Sequence, residues 1–303
     1  VKQAAPYLPD AGKTLVLYAD VPLVSIKALK KLIASANRKK LSILTSQVSD
    51  PKWYGRIIRD ENHDPIAIRE EADATKQEKS IHEIFTGIMV AENEFLKKGL
   101  KGLLRNNNAG EYYLTDLVDF ASKRQLKIGS TLTREREIYG ANNKEELAKL
   151  YESLISLNVE AAKKKGTIFK DETTCYVEGQ LKVGKDVRIG SNVTIKGSVS
   201  LGNDVCIESN VVLANTKIGD NSTVKDFCSI EDSSLAKNVE VGPFARLRNG
   251  AVLDDSAKIG NFVEIKKSKI GEGSKANHHA YLGDANIGKK VNVGAGTITC
   301  NYD

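Results

Sequence analysis

An α/β domain, a connecting helix and a parallel β-helix are the fold class that this chain of 303 residues predicts. Three observations point there. Residues 1–142 alternate short apolar runs with amphipathic stretches, the pattern of an α/β domain. Residues 143–165 read as one long helix. From Tyr176 to Thr299, aliphatic residues recur every six positions.

In chain order, Thr14–Tyr18 is a strand candidate. Ser25 is placed to cap a helix whose apolar positions are Ile26, Leu29, Leu32, Ile33 and Ala36. Leu41–Thr45, Pro65–Ile68 and Phe85–Val90 follow as strands, and Thr115 is placed to cap a helix carrying Leu117, Val118, Phe120 and Ala121. The long helix turns Leu147, Leu150, Leu154, Leu157 and Val159 to its apolar side. Lys163, Lys164 and Lys165 end it favourably for the helix dipole, and Gly166 stops it. These limits give domains of 1–142 and 167–303 with a linker helix at 143–166.

The repeat begins with Val177, Val183, Ile189, Ile195, Leu201, Ile207 and Leu213. A second aliphatic residue stands four positions after each of the first six: Leu181, Val187, Val193, Val199, Val205 and Val211. Single-residue slips at Ile218, Leu235, Ile270 and Ile287 each reset the period, which continues to Thr299. Strand residues two apart share a face, so the first and fifth residues of each unit can both point inward. Gly or Asn at a corner accepts the positive φ of a tight bend. Three units then close one triangular coil, and hexapeptide repeats of this kind signify a parallel β-helix. The pattern does not specify the hand.

Composition is that of a globular chain, 41% hydrophobic and 28% charged with net charge +6. The Lys and Arg are scattered, which argues against nucleic-acid binding. No apolar run is long enough to span a bilayer and no signal peptide is visible. Cys175, Cys206, Cys228 and Cys300 lack metal spacing, so reduced thiols in a cytoplasm are expected. Val1 is not an initiator Met and Asp303 closes the sequence without a capping coil, so an internal fragment of a longer protein is expected.

Asp20 closes the first strand, where α/β sheets place ligands. A lone carboxylate there suits Mg²⁺, which shares its remaining sites with phosphate and water. It equally suits the cap of the next helix.

Successive motifs carry a resemblance. They are Leu17–Leu23, Tyr54–Ile57, Asn106–Asp116 and Glu137–Asn143, then Gly242–Arg248, Gly260–Lys267, Gly273–His278, Tyr281–Ala285 and Asn292–Asp303. Together they resemble the bacterial bifunctional UDP-N-acetylglucosamine pyrophosphorylase / glucosamine-1-phosphate N-acetyltransferase family, over essentially the whole chain. The most specific run is Gly294–Asp303 (Gly-Ala-Gly-Thr-Ile-Thr-Cys-Asn-Tyr-Asp). The resemblance implies a truncated Rossmann-like nucleotidyltransferase domain and a left-handed β-helix packed as a homotrimer, with no nucleic-acid or membrane partner. It implies that Asp20 and Asn142 hold Mg²⁺ and that Tyr18, Ala19, Gly55 and Glu70 line the UDP-sugar pocket. It implies His278 as general base, Arg248 and Lys266 on the sugar phosphate, Tyr281 and Asn292 on the sugar, and Ala295, Asn301 and Tyr302 along acetyl-CoA. An imidazole, which as a class titrates near neutrality, suits the base. Arg grips phosphate by a fork and Lys as a point charge. The resemblance assigns His279 no role.

Three departures stand out. The family's glycine-rich loop and its Lys would lie upstream of Val1, Phe85 stands where the family has Asn, and Ala19 replaces Gly. The fragment alone is therefore not expected to transfer uridylyl. The expected reactions are acetyl transfer from acetyl-CoA to glucosamine-1-phosphate, then uridylyl transfer from UTP to N-acetylglucosamine-1-phosphate. Two alternatives are an acetyltransferase-only relative and a non-catalytic scaffold that binds sugar nucleotides.

Overall fold

The computed structural model describes residues 1–105, 107–141 and 143–301. The chain forms two compact units, Val1–Leu150 and Tyr151–Asp303.

The first unit is built on a mixed sheet of β1 (Lys13–Val16), β2 (Leu41–Gln47), β3 (Arg56–Arg59), β4 (Pro65–Arg69), β5 (Glu83–Glu92) and β6 (Ile128–Thr133). Its order is β4-β3-β5-β2-β6, with β1 also paired to β5. Only β2 and β6 pair in parallel. β5 is buried everywhere but its ends, because helices cover both faces. Phe85, Met89 and Ala91 pack with α3 (Asn93–Lys101) and α4 (Asp116–Ser122). Ile88 and Val90 pack with α1 (Ile26–Ser35). The pairing of β2 with β5 shifts register opposite Phe85–Met89, and Gly87 there has φ +81°. The bulge bends the central strand at the wall of a cavity.

Ser25 caps α1 as expected, its Oγ accepting from the Ala28 amide at 3.1 Å. Thr115 does not cap α4; its hydroxyl donates to Glu70 Oε1 at 2.8 Å instead. β3, α3 and β6 were not legible in the sequence, since their apolar residues are few and interrupted by charge or Gly. The long helix spans Lys144–Lys163, and the division between units falls inside it. Leu150, Ile155, Val159 and Ala162 are buried on it, whereas Leu147 and Leu154 are exposed. The apolar stripe is thus rotated from the expected one.

The second unit is a parallel solenoid of about seven turns with three faces. One face stacks Val177, Ile195, Leu213, Ile230, Leu247, Ile265 and Leu282 in register. The second runs Ile189, Ile207, Val224, Val241, Ile259, Ala276 and Val293. The third runs Val183, Leu201, Ile218, Leu235, Leu253, Ile270 and Ile287. The repeat positions from Val177 to Val293 thus lie on rungs, consistent with the expected left-handed β-helix, whereas Thr299 lies outside any strand. The four slips shorten their coils by one residue and leave Ile218, Leu235 and Ile270 buried.

Corners carry the positive φ that the repeat requires. Asn and Asp supply most, as at Asn192, Asp204, Asn210 and Asn221. One corner differs: Phe227, Phe244, Phe262 and His279 hold φ of 61°, 54°, 56° and 40°. Bulky residues are rare in that region. Their rings stack in sequence at 4.9, 5.3 and 5.1 Å between centroids.

Candidate functional sites

The first unit holds a cavity of about 630 Å³. Tyr18, Asp20, Gly55 and Glu70 line it together with Phe85 and Gly87; Ala19 does not. Asn142 lies outside the described residues. Tyr18 lies flat against the bulge of β5, where a Cβ on Gly87 would meet the ring at 1.8 Å. Partial burial, with Glu70 and Asp20 close by, pushes the Tyr18 hydroxyl above its usual range. A Cβ on Gly55 would meet Ile68 at 2.7 Å, so this wall needs glycine for close approach. Gly55 is held from both sides. Its carbonyl accepts from the Phe85 amide at 2.8 Å, and the neighbouring Arg56 is 2% exposed and paired with Glu71 at 2.6 Å.

Phe85 is 6% exposed and places an aromatic side chain in the lining where an amide was expected. The lining contains Asp20, Glu70 and Glu146 and no Lys or Arg. Asp20 is exposed and its carboxylate has no hydrogen bond or ion pair among the described residues, although its carbonyl accepts from the Ala141 amide at 3.1 Å. A free hard-oxygen donor at a cavity wall fits Mg²⁺, which needs only one or two carboxylates beside phosphate and water. Among the described residues no three His, Cys, Asp or Glu side chains gather to form a protein-only metal cage.

On the solenoid, two sets of candidates occupy adjacent faces that meet at the aromatic corner. His278 is on the strand Lys275–Gly283, directly over Asn261 of the preceding coil. Its Nδ1 lies 2.9 Å from Asn261 Oδ1. The next coil continues in register through Asn292 beside Lys275, and the Gly296 amide donates to the His279 carbonyl at 2.7 Å. That register sets Ala295 alongside His278. A groove of about 260 Å³ below His278 is lined by Lys225, Glu240, Gly242, Lys258 and Asn261 among others.

Around the corner, Arg248 aligns with Lys266, and Glu264 with Tyr281. Arg248 Nε donates to Glu264 Oε1 at 2.6 Å, and this pairing raises the guanidinium's pKa further. Its two terminal nitrogens have no partner among the described residues, so a fork remains for an anion. Lys266 Nζ stands 4.0 Å from Asp284, which also accepts from Asn301. The Asn301 hydrogen bond, with Lys266 and Lys267, holds the Asp284 carboxyl below its usual range. Tyr302 lies outside the described residues. Within one chain, then, Arg248, Lys266, Tyr281 and Asn301 form one group and His278, Asn292 and Ala295 another, on adjacent faces.

Sequence reasoning overlooked Asn261 and Glu264, although both lie inside quoted motifs. Both contact candidates one coil away, a link visible only when the coils are stacked. It also misread Thr115 as a cap.

A family described as the GMPPB C-terminal domain matches residues 172–254. A protein named Bifunctional protein GlmU from Nitrosomonas eutropha is 47% identical over 305 aligned positions, covering 100% of this chain and 67% of that protein. The protein of the same name from Nitrosospira multiformis is 42% identical, covering 100% of this chain and 66% of its own. The chain thus spans about two thirds of these relatives. Among solved structures, a nucleoside-diphosphate-sugar pyrophosphorylase from Vibrio cholerae overlaps 48% of this chain and 59% of its own at 13% identity and a TM-score of 0.36, too slight a likeness to bear on the fold.

Proposed function

The chain belongs to the bifunctional GlmU family, and from that premise we propose that its protein carries out two successive steps of UDP-N-acetylglucosamine synthesis. The β-helix unit transfers acetyl from acetyl-CoA to glucosamine-1-phosphate. The α/β unit joins N-acetylglucosamine-1-phosphate to UTP and releases pyrophosphate. The domains are 1–142 for uridylyl transfer and 167–303 for acetyl transfer, linked by 143–166. No helix among the described residues is long and apolar enough to cross a membrane. The site of action is the cytoplasm and the assembly a homotrimer.

In acetyl transfer, the amine nitrogen attacks the thioester carbon. The N–C bond forms as C–S breaks, and coenzyme A leaves as its thiol. His278 takes the amine proton. The free terminal nitrogens of Arg248 and the Lys266 ammonium hold the sugar phosphate. Tyr281 and Asn292 orient the sugar, while Ala295, Asn301 and Tyr302 line acetyl-CoA. The observation that carries this reading is the register that sets His278 beside Ala295 at the corner bordering Arg248 and Lys266. In a trimer, that corner meets a neighbouring protomer, which supplies the rest of the site.

In uridylyl transfer, a sugar-phosphate oxygen attacks the α-phosphorus of UTP and pyrophosphate leaves. Tyr18, Gly55 and Glu70 border the sugar nucleotide, without Ala19, which does not line the cavity. Asp20 and Asn142 would hold Mg²⁺, which when bound neutralises phosphate charge. In the intact protein, acetyl-CoA consumption should require glucosamine-1-phosphate, and pyrophosphate release should require Mg²⁺. Neither reaction occurring with these sugars would defeat the assignment.

The buried Phe85 in the cavity wall favours a second reading, acetyl transfer without uridylyl transfer. Phe85→Asn in the intact protein discriminates. A rise in pyrophosphate release of about tenfold or more, the discrimination a sugar-directed hydrogen bond can reach, supports the loss. Unchanged release removes Phe85 as its cause.

A further inference from the structure

We infer that Asn261 is a positioning residue for His278, fixing the proton on Nδ1 so that Nε2 is the basic nitrogen offered to the substrate amine. The inference rests on the acetyl-transfer reading. Asn261 Oδ1 can only accept, so at 2.9 Å the Nδ1 of His278 must donate. The other ring nitrogen is then unprotonated and turned away from the coil below. Nothing in a six-residue repeat demands an amide at this position. The equivalent place one coil below Asn261, before Phe244, is filled by Pro243.

The corner beside this pair is built to hold it. Phe262 and His279 follow Asn261 and His278 directly, and their rings stack at 5.1 Å. Both are in left-handed backbone, φ 56° and 40°. Side chains of this bulk persist there only when the surroundings fix them, and such sites cluster where geometry serves function. His279, otherwise without a role, thereby anchors the backbone of His278 to a ladder of three phenylalanines. Gly260 lets the two coils close: a Cβ there would meet the Asn277 carbonyl at 1.9 Å. The charged groups facing His278 across the groove are Lys225, Glu240 and Lys258. Glu240 is paired with both lysines, the one from Lys258 at 3.5 Å, so none competes with Asn261 for the imidazole.

Nitrogen NMR of histidine-labelled intact protein, with His278→Ala to assign the resonance, reads the tautomer directly. The Nδ1–H form is expected for His278 in the wild type and a shift toward Nε2–H in Asn261→Ala. In that variant kcat for acetyl transfer should fall about tenfold or more with KM little changed, within the 10²–10⁴ that general-base catalysis contributes. Asn261→Asp keeps an acceptor and adds negative charge beside Nδ1–H. It should restore the tautomer and, because the base acts only when deprotonated, move the acidic limb of the pH–rate profile to higher pH. An Nε2–H tautomer in the wild type, or one unaltered by Asn261→Ala, overturns the inference. If the tautomer responds as expected while acetyl transfer ignores His278→Ala, the acetyl-transfer reading fails instead.

Discussion

Glu83 is half-buried and gripped by the fork of Arg59, Nε to Oε2 at 2.8 Å and a terminal nitrogen to Oε1 at 2.5 Å. Burial raises its carboxyl pKa, but hydrogen bonds from Arg59 and Thr45 outweigh it, and the net shift is downward from 4.5. A carboxyl with a depressed folded pKa stabilises above its unfolded value, and that contribution is lost as pH falls through the folded one. Glu83→Gln should therefore have a lower urea midpoint than wild type at pH 7, with the gap closing below about pH 4.5. A gap that widens in acid would contradict the pairing. At the other end of the chain, burial pushes the Cys228 thiol to about 11, whereas Cys300 is exposed. Iodoacetamide at pH 8 should modify Cys300 in the folded protein and reach Cys228 only after denaturation, as mass spectrometry of the peptides would report. Single residues were picked out as candidates where a motif or a strand end marked them, as for His278, Arg248 and Asp20, whose roles stand as proposals. Asn261, Glu264 and Thr115 were not, because each acts across a gap of 15 residues or more, a relation set by coil stacking or sheet order.

At the scale of elements, the β-helix was readable to the residue. A hydrophobic period of six with single slips has few physical solutions, and each rung pairs as the spacing requires. The α/β half was readable where an apolar run or a capped amphipathic stretch stood out, as in β2, β4, β5 and α1. β3 reads Arg-Ile-Ile-Arg and β6 begins Ile-Gly-Ser-Thr, too short to stand out before neighbours bury them. The long helix was found but its stripe was misplaced, since Leu147 and Leu154 look as apolar as Ile155 and Val159. Stability along a solenoid follows from contacts with adjacent coils. Ile230 is fully buried in mid-stack, with rungs on both sides, whereas Val252, also in mid-stack, points outward and is exposed. Ile230→Ala should cost about 2–5 kcal/mol, and Val252→Ala clearly less, by denaturant melts. Equal costs would show that the inward rungs do not hold the coils together.

For the molecule as a whole, the two units place their candidate chemistry differently. In the first, residues of β5 and of the loops at the ends of its neighbouring strands close on one cavity. In the second, two groups lie on either side of one solenoid corner, and neither is enclosed. An open arrangement of this kind needs a second surface to exclude water, which the proposed threefold assembly would provide. Light scattering of the intact protein should give three times the mass of one chain; a monomer would leave the acetyl site half built. The order of the motifs pointed to the two proposed activities, but the geometry of their candidate sites depends on coil stacking, which no local spacing encodes.

The most direct measurement is acetyl transfer from acetyl-CoA to glucosamine-1-phosphate by the intact protein with and without His278→Ala. Loss of the imidazole should lower kcat about 10²–10⁴-fold and leave KM for the sugar phosphate close to wild type. An unchanged rate would contradict the assignment of His278 as the base.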